Sequence, residues 1–332
     1  LGGAAVVFIY TVAGGMWAVA LTDFVQIIII AIGLILLLIV VLIDVGGWGA
    51  IAPHLSEDTF RMTPKESSAK AWFDYFRAWM IIGLADVTAQ SLLQRAFSAK
   101  SEQVAQNSFY LAGIGYLTLG MIPVILGIIA SVTMPGLADT ESVIPTMAIE
   151  HLHPVLIAIF VGALLAAIMS SADSALLSVA TVFTQNILPL FKKNPSDHLR
   201  LLTMRIAIPV GGLIAVYAAL KVQVVYDLML DANSVILVCI TVPFIVGIWW
   251  RRANRFGALA AMAVGFATWV LTIVFAPDLP GDFLGVLAAL VTIFIVTPLT
   301  QSTDPPKPLL DSDGNAVQPA NRLGVLPLFR KV

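Results

Sequence analysis

The chain has 332 residues, 59% of them hydrophobic and only 11% charged, with a net charge of −2 and a mean hydropathy of +0.95. A soluble domain of this length needs a far larger polar fraction to cover its surface, so the solvent is read as lipid. The near-neutral charge without a basic tract excludes a nucleic-acid partner, and the single cysteine, Cys239, excludes an intrachain disulfide or a thiolate metal site.

Within a bilayer every backbone polar group must be satisfied internally, which leaves helix bundles or closed barrels. The apolar stretches run far beyond the roughly ten residues of a barrel strand, so helices are expected. Hydropathy places about nine spans, near 2–13 (partial), 20–45, 72–93, 106–132, 154–186, 201–220, 230–250, 256–276 and 282–300. A polar connection covers 46–71, and 301–332 form a Pro-rich tail. Arg95, Lys100, Lys192, Lys193, Arg251, Arg252 and Arg255 fall in loops on one side together with the tail, and the positive-inside rule makes that side cytoplasmic. The chain opens on Leu1 inside an apolar run, with no signal-peptide pattern, and is expected to lack amino-terminal helices.

The third span is expected to be broken. Gly83-Leu84-Ala85 leads into Asp86, Thr88 and Gln90 at mid-membrane depth, where Gly weakens a helix and polar side chains satisfy freed backbone groups. Such a break is a usual transporter device for a midplane site; a continuous helix facing a neighbour is the alternative. The fifth span carries Ala166-Ala167-Ile168-Met169-Ser170-Ser171-Ala172-Asp173-Ser174. Helical spacing puts Ala167, Ser170, Ser171, Asp173 and Ser174 on one broad face. Hydroxyls, a carbonyl and a carboxylate are hard oxygen ligands for a small cation rather than zinc. Close helix packing would explain the serines but not Asp173, whose burial costs roughly 2.5–3.5 kcal/mol even on the mildest insertion scale.

Other acids carry less. Asp86 is expected as a second buried acid, Asp227 and Asp231 as vestibule groups, and Asp23 as a helix-start residue favoured by the dipole. The four histidines sit in expected loops or helix ends without a metal pattern. No phosphate loop, nucleophile elbow or His-Glu-x-x-His is present, so no enzyme is expected.

Three motifs in order resemble the sodium/solute symporter family. They are Gly14-Gly15-Met16-Trp17-Ala18-Val19 with Thr22-Asp23-Phe24-Val25-Gln26, then Gln94-Arg95-Ala96-Phe97-Ser98-Ala99-Lys100-Ser101, then Ala166 to Ser174. The resemblance implies an all-α, LeuT-like inverted-repeat bundle, with residues 1–300 supplying a partial transmembrane domain from about core helix 4 onward and 301–332 a cytoplasmic tail. It implies a sodium site in which Ala167 gives its carbonyl and Ser170 and Ser171 their hydroxyls, with Asp173 and Ser174 at a second sodium or coupling position. It also places Asp86, Thr88 and Gln90 in the substrate region of the broken helix. The opposite wall of the sodium site, on core helix 1, lies outside this chain. Ala138 to Ser174 and the segment from Val225 to Leu237 look most like the choline-transporter branch, although Thr88-Ala89-Gln90 replaces that branch's Pro-Trp-Gln.

The expected function is therefore sodium-coupled symport of a small organic solute by a multi-pass protein of the cell membrane, with Na+ as coupling ion and no other cofactor. A proton-coupled carrier of the same fold and a symporter-like sensor module are the alternatives.

Overall fold

The computed structural model describes residues 2–137, 139–220 and 225–307; the Asp227 side chain and residues 308–332 of the expected tail lie outside the described residues. All regular structure among the described residues is helical. In chain order the main helices are α1 (Gly2–Asp44), α2 (Ala69–Trp79), α3 (Gln90–Phe97), α4 (Glu102–Thr118), α5 (Met121–Thr133) and α6 (Val143–His151). They continue with α7 (Pro154–Val182), α8 (Asp197–Ala219), α9 (Val225–Ile236), α10 (Val242–Trp249), α11 (Arg255–Phe275) and α12 (Gly281–Thr300). Polar side chains mark several starts: Ser68, Ser101, Ser196 and Asn254 each accept a first-turn backbone N–H of the helix that follows.

Seven helical segments are long and apolar enough to cross a membrane: Ala5–Asp44, Glu102–Thr133, Pro154–Phe191, Asp197–Ala219, Leu228–Trp249, Arg255–Phe275 and Gly281–Thr300. They account for the nine expected spans once two details are added. The first two spans are the two limbs of α1, which bends at Gly15 (φ 54°, ψ −141°), a conformation that glycine alone adopts cheaply. The third is the interrupted stretch from α2 into α3, discussed below.

The chain divides into two compact units. The first comprises Leu1–Met62 and Leu93–Lys221; the second comprises Thr63–Leu92 and Val222–Val332. In the first unit Leu37 and Val41 of α1 pack with Leu126 and Ile129 of α5, Met147 of α6 and Phe160 of α7. A separate cluster joins Val7 of α1 to Leu176 and Ala180 of α7 and Ile208 of α8. At Gly33 α1 approaches α7 so closely that a Cβ there would collide with the Ala163 side chain. Small residues at such crossings substitute close backbone packing for the hydrophobic drive that lipid removes.

In the second unit Val242, Ala261, Ala289 and Ile293 knit α10, α11 and α12 together. Two π-helical turns, Met80–Leu84 and Leu237–Thr241, pack against one another through Ile81, Ala85 and Leu237. Arg77, at the end of α2, donates to the buried Asp282 carboxylate at the start of α12 (2.7 Å), and Phe73 meets Phe283 edge-on at 5.0 Å.

Candidate functional site

Within α7 the serines solve their own solubility problem in lipid. Ser171, Ser174 and Ser178 each have a hydroxyl within donating reach of the carbonyl four residues back, at 3.3, 2.7 and 2.8 Å. A hydroxyl that spends its only proton on its own helix keeps its lone pairs as acceptors. The face is thus lined with oxygen acceptors, and a cation or a guanidinium is the natural guest.

For part of the face that guest is an arginine. Arg95, on α3, donates to Asp23 Oδ2 at 2.6 Å and to Ser174 Oγ at 2.5 Å. Ser170 donates to the other oxygen of Asp23 at 2.5 Å. One turn away, Asp173 is fully buried, accepting from the Tyr10 hydroxyl at 2.5 Å, with the Ser174 hydroxyl 3.0 Å from its second oxygen. The Ser178 hydroxyl lies 3.2 Å from Gln94 Oε1. Within the first unit, α1, residues 93–97 of α3 and α7 are therefore tied by one polar network.

The network also explains the bend in α1. On a straight helix Tyr10 and Asp23 would lie about 20 Å apart. Both instead reach the single turn of α7 between Ser170 and Asp173, so the chain must change course between them, at Gly15.

The expected sodium ligands separate into two groups. Ser170, Asp173 and Ser174 belong to the network, with Ser170 half-buried and the other two buried. Ala167 and Ser171 lie on the adjoining, more open part of the face: the Ala167 carbonyl accepts from Ser171 at 3.3 Å, and Ser171 is exposed. Ser171 takes no part in the Asp23–Arg95 network.

Two acids depart from expectation. Asp23 does not open a helix; it lies well inside α1 as the counter-ion of Arg95. Asp86 is exposed rather than a second buried acid, and so is Gln90. The helix break itself is present. The Thr88 N–H reverts to the Ala85 carbonyl (3.0 Å), that of Ala89 reaches the Asp86 carbonyl (3.1 Å), and α3 starts at Gln90. Thr88 is buried, its hydroxyl 3.0 Å from the Ala85 carbonyl and 3.2 Å from the Thr241 hydroxyl on the facing π-turn. Asp231, on α9, is exposed. From sequence Asp23 is expected at a helix start and Arg95 in a cytoplasmic loop, neither as the other's partner, and Tyr10 carries no expectation; the motif pair that contains Asp23 and Arg95 was the available signal for the first two.

The sodium:solute symporter family pattern matches residues 1–265. This chain belongs to the sodium/solute symporter family. It is 31% identical to the human high affinity choline transporter 1 over 77% of this chain and 46% of that protein. Identity to the sodium/pantothenate symporter of Haemophilus influenzae is 27%, over 79% of this chain and 55% of the relative. For the high-affinity proline transporter of Bacillus subtilis it is 29%, over 90% and 64%. The chain thus spans about half the length of the curated relatives it matches. A solved substrate-bound, outward-open Na+-coupled sialic acid symporter superposes with a TM-score of 0.71 at 20% identity, covering 89% of this chain and 65% of that one. The family member is accordingly a multi-pass membrane protein with the LeuT-like helical bundle.

Proposed function

We propose that the full-length protein carries out sodium-coupled symport of a small organic solute across the cell membrane by alternating access, and that this chain supplies one wall of the ion site. The observation that carries the proposal is the α7 face. There the Ala167 carbonyl and the Ser171 hydroxyl stand together on its open part, beside a Ser170 held by Asp23. These three are the proposed sodium ligands, with Na+ as coupling ion and no further cofactor. Asp173 and Ser174 serve a second ion or the coupling step, and Asp86, Thr88 and Gln90 line the solute region of the broken span. Residues 1–300 form the transmembrane domain and 301–332 a cytoplasmic tail. The solute is kept at the level of a class, because relatives of comparable identity are named for choline, pantothenate and proline.

Uptake by the full-length protein in vesicles tests this reading, with sodium replaced in turn by lithium, by choline and by an imposed pH gradient. Loss of uptake without sodium is expected, as is a raised sodium requirement in Ser171→Ala. Uptake that persists without sodium and follows the pH gradient would replace sodium by the proton.

A further inference from the structure

The turn between α10 and α11 is the most cationic feature of the second unit and has no role in the transport reading. Arg251, Arg252 and Arg255 are all exposed, and no acidic side chain pairs with any of them among the described residues. Arg255 occupies the first turn of a 21-residue helix that has no acid there. A cation at that end opposes the helix dipole, so the helix gains nothing from Arg255, and the positive-inside bias accounts for the side on which the three arginines lie but not for their clustering on one turn.

The backbone that presents these arginines is firmly held. Asn254, buried, accepts from the Gly257 N–H at 2.9 Å and donates to Thr300 Oγ1 at 2.8 Å and to the Asp304 carbonyl at 2.9 Å. Gln301 donates to the Arg252 carbonyl at 2.6 Å. The neighbouring acid, Asp304, accepts from the Phe256 N–H at 3.0 Å, which caps the helix and leaves the three guanidinium groups in excess. Beside them Trp249 is 51% exposed and Phe256 is 50% exposed, at the ends of two membrane-spanning helices, where aromatic rings seat at the headgroup level.

We propose that this turn is a docking surface for the phosphate headgroup of an anionic phospholipid. Planar guanidinium groups match a phosphate's oxygens, and the turn lies at the depth where a bilayer offers them. The flanking aromatics hold it at that depth. Lipid is favoured over a soluble anion because the half-exposed rings of Trp249 and Phe256 offer apolar surface that acyl chains and glycerol contact and a free ion does not.

The test uses the full-length protein in phosphatidylcholine bilayers containing a minor fraction of spin-labelled phosphatidylglycerol. It reads the preference of the protein-contacting lipid for that label over spin-labelled phosphatidylcholine. Arg251→Gln with Arg252→Gln should weaken the preference about five-fold per charge removed, whereas the Lys pair of variants at the same positions should keep most of it. Lys192→Gln with Lys193→Gln removes the same charge from another exposed loop and should have a clearly smaller effect. Equal effects of the two glutamine pairs would overturn the proposal in favour of general surface charge. Displacement of the labelled lipid by millimolar inorganic phosphate would overturn lipid as the occupant. Unchanged melting of the glutamine variants in lipid-free detergent guards against misfolding as the cause, and melting that falls together with the preference would overturn the assignment.

Discussion

The α7 face and the interrupted span from α2 into α3 both carry acids and hydroxyls in apolar surroundings, yet the structure treats them in opposite ways. Along α7 the polar groups are bonded to each other across three helices, and Asp23, Arg95 and Asp173 all have partners within 2.6 Å. Around the break, backbone groups turn back on their own chain, one hydroxyl pair crosses to a neighbour, and Asp86 and Gln90 stand open. A charge with a partner becomes a structural joint; a charge left open stays free for a guest. The first arrangement is stiff because removal of any member strands another, and the second is adaptable because little depends on any one group.

The comparison can be broken most sharply at Arg95. Arg95→Leu strands Asp23 and removes a donor from Ser174; with Arg95 39% and Asp23 19% exposed, solvent screening limits the loss to about 1–3 kcal/mol. It should appear as a lower melting temperature of the full-length protein in detergent. Asp23→Asn in the same chain should recover part of it, and no recovery would deny that the two side chains are coupled. Tyr10→Phe takes the hydroxyl donor from fully buried Asp173, while the neighbouring Ser174 hydroxyl is engaged with the Ser170 carbonyl, and should cost about 1–2 kcal/mol by the same measurement. Thr88→Val removes a single crossing hydroxyl bond and should cost about 1 kcal/mol, because Thr241 keeps a carbonyl partner at Ile236. Asp86→Asn should change melting by less than about 0.5 kcal/mol, as exposed positions do, while altering solute affinity in uptake assays. A large melting shift there would erase the contrast between the two regions.

Much of this was legible beforehand, and the physics says which parts. Helices follow from composition because lipid permits little else, and the break follows from Gly83 and the polar run after it. The α7 face follows from helical spacing alone. What spacing cannot show is which span faces which. Asp23 and Arg95 are 72 positions apart, and Tyr10 and Asp173 are 163 apart, so neither pairing leaves a periodic trace. Asp86 was misjudged for a related reason: depth in the bilayer can be read from hydropathy, but the direction a side chain faces depends on neighbours. The bend at Gly15 lay in the gap assigned between the first two spans, where the Gly14-Gly15 pair announced a change of course but not that helix would resume at once.

The two π-turns of the second unit bear on how this sequence tolerates change in length. Each π-turn accommodates one residue more than an α-helical turn would, so the helix beyond it is rotated by about 100° relative to an uninterrupted one. Deleting one residue from Met80–Leu84 would let the segment close into ordinary α-helix. The rotation would swing Thr88 away from Thr241 and re-aim Asp86, with no substitution at either position. Insertions and deletions at these two turns are therefore a route by which one scaffold can present a different set of groups around the break.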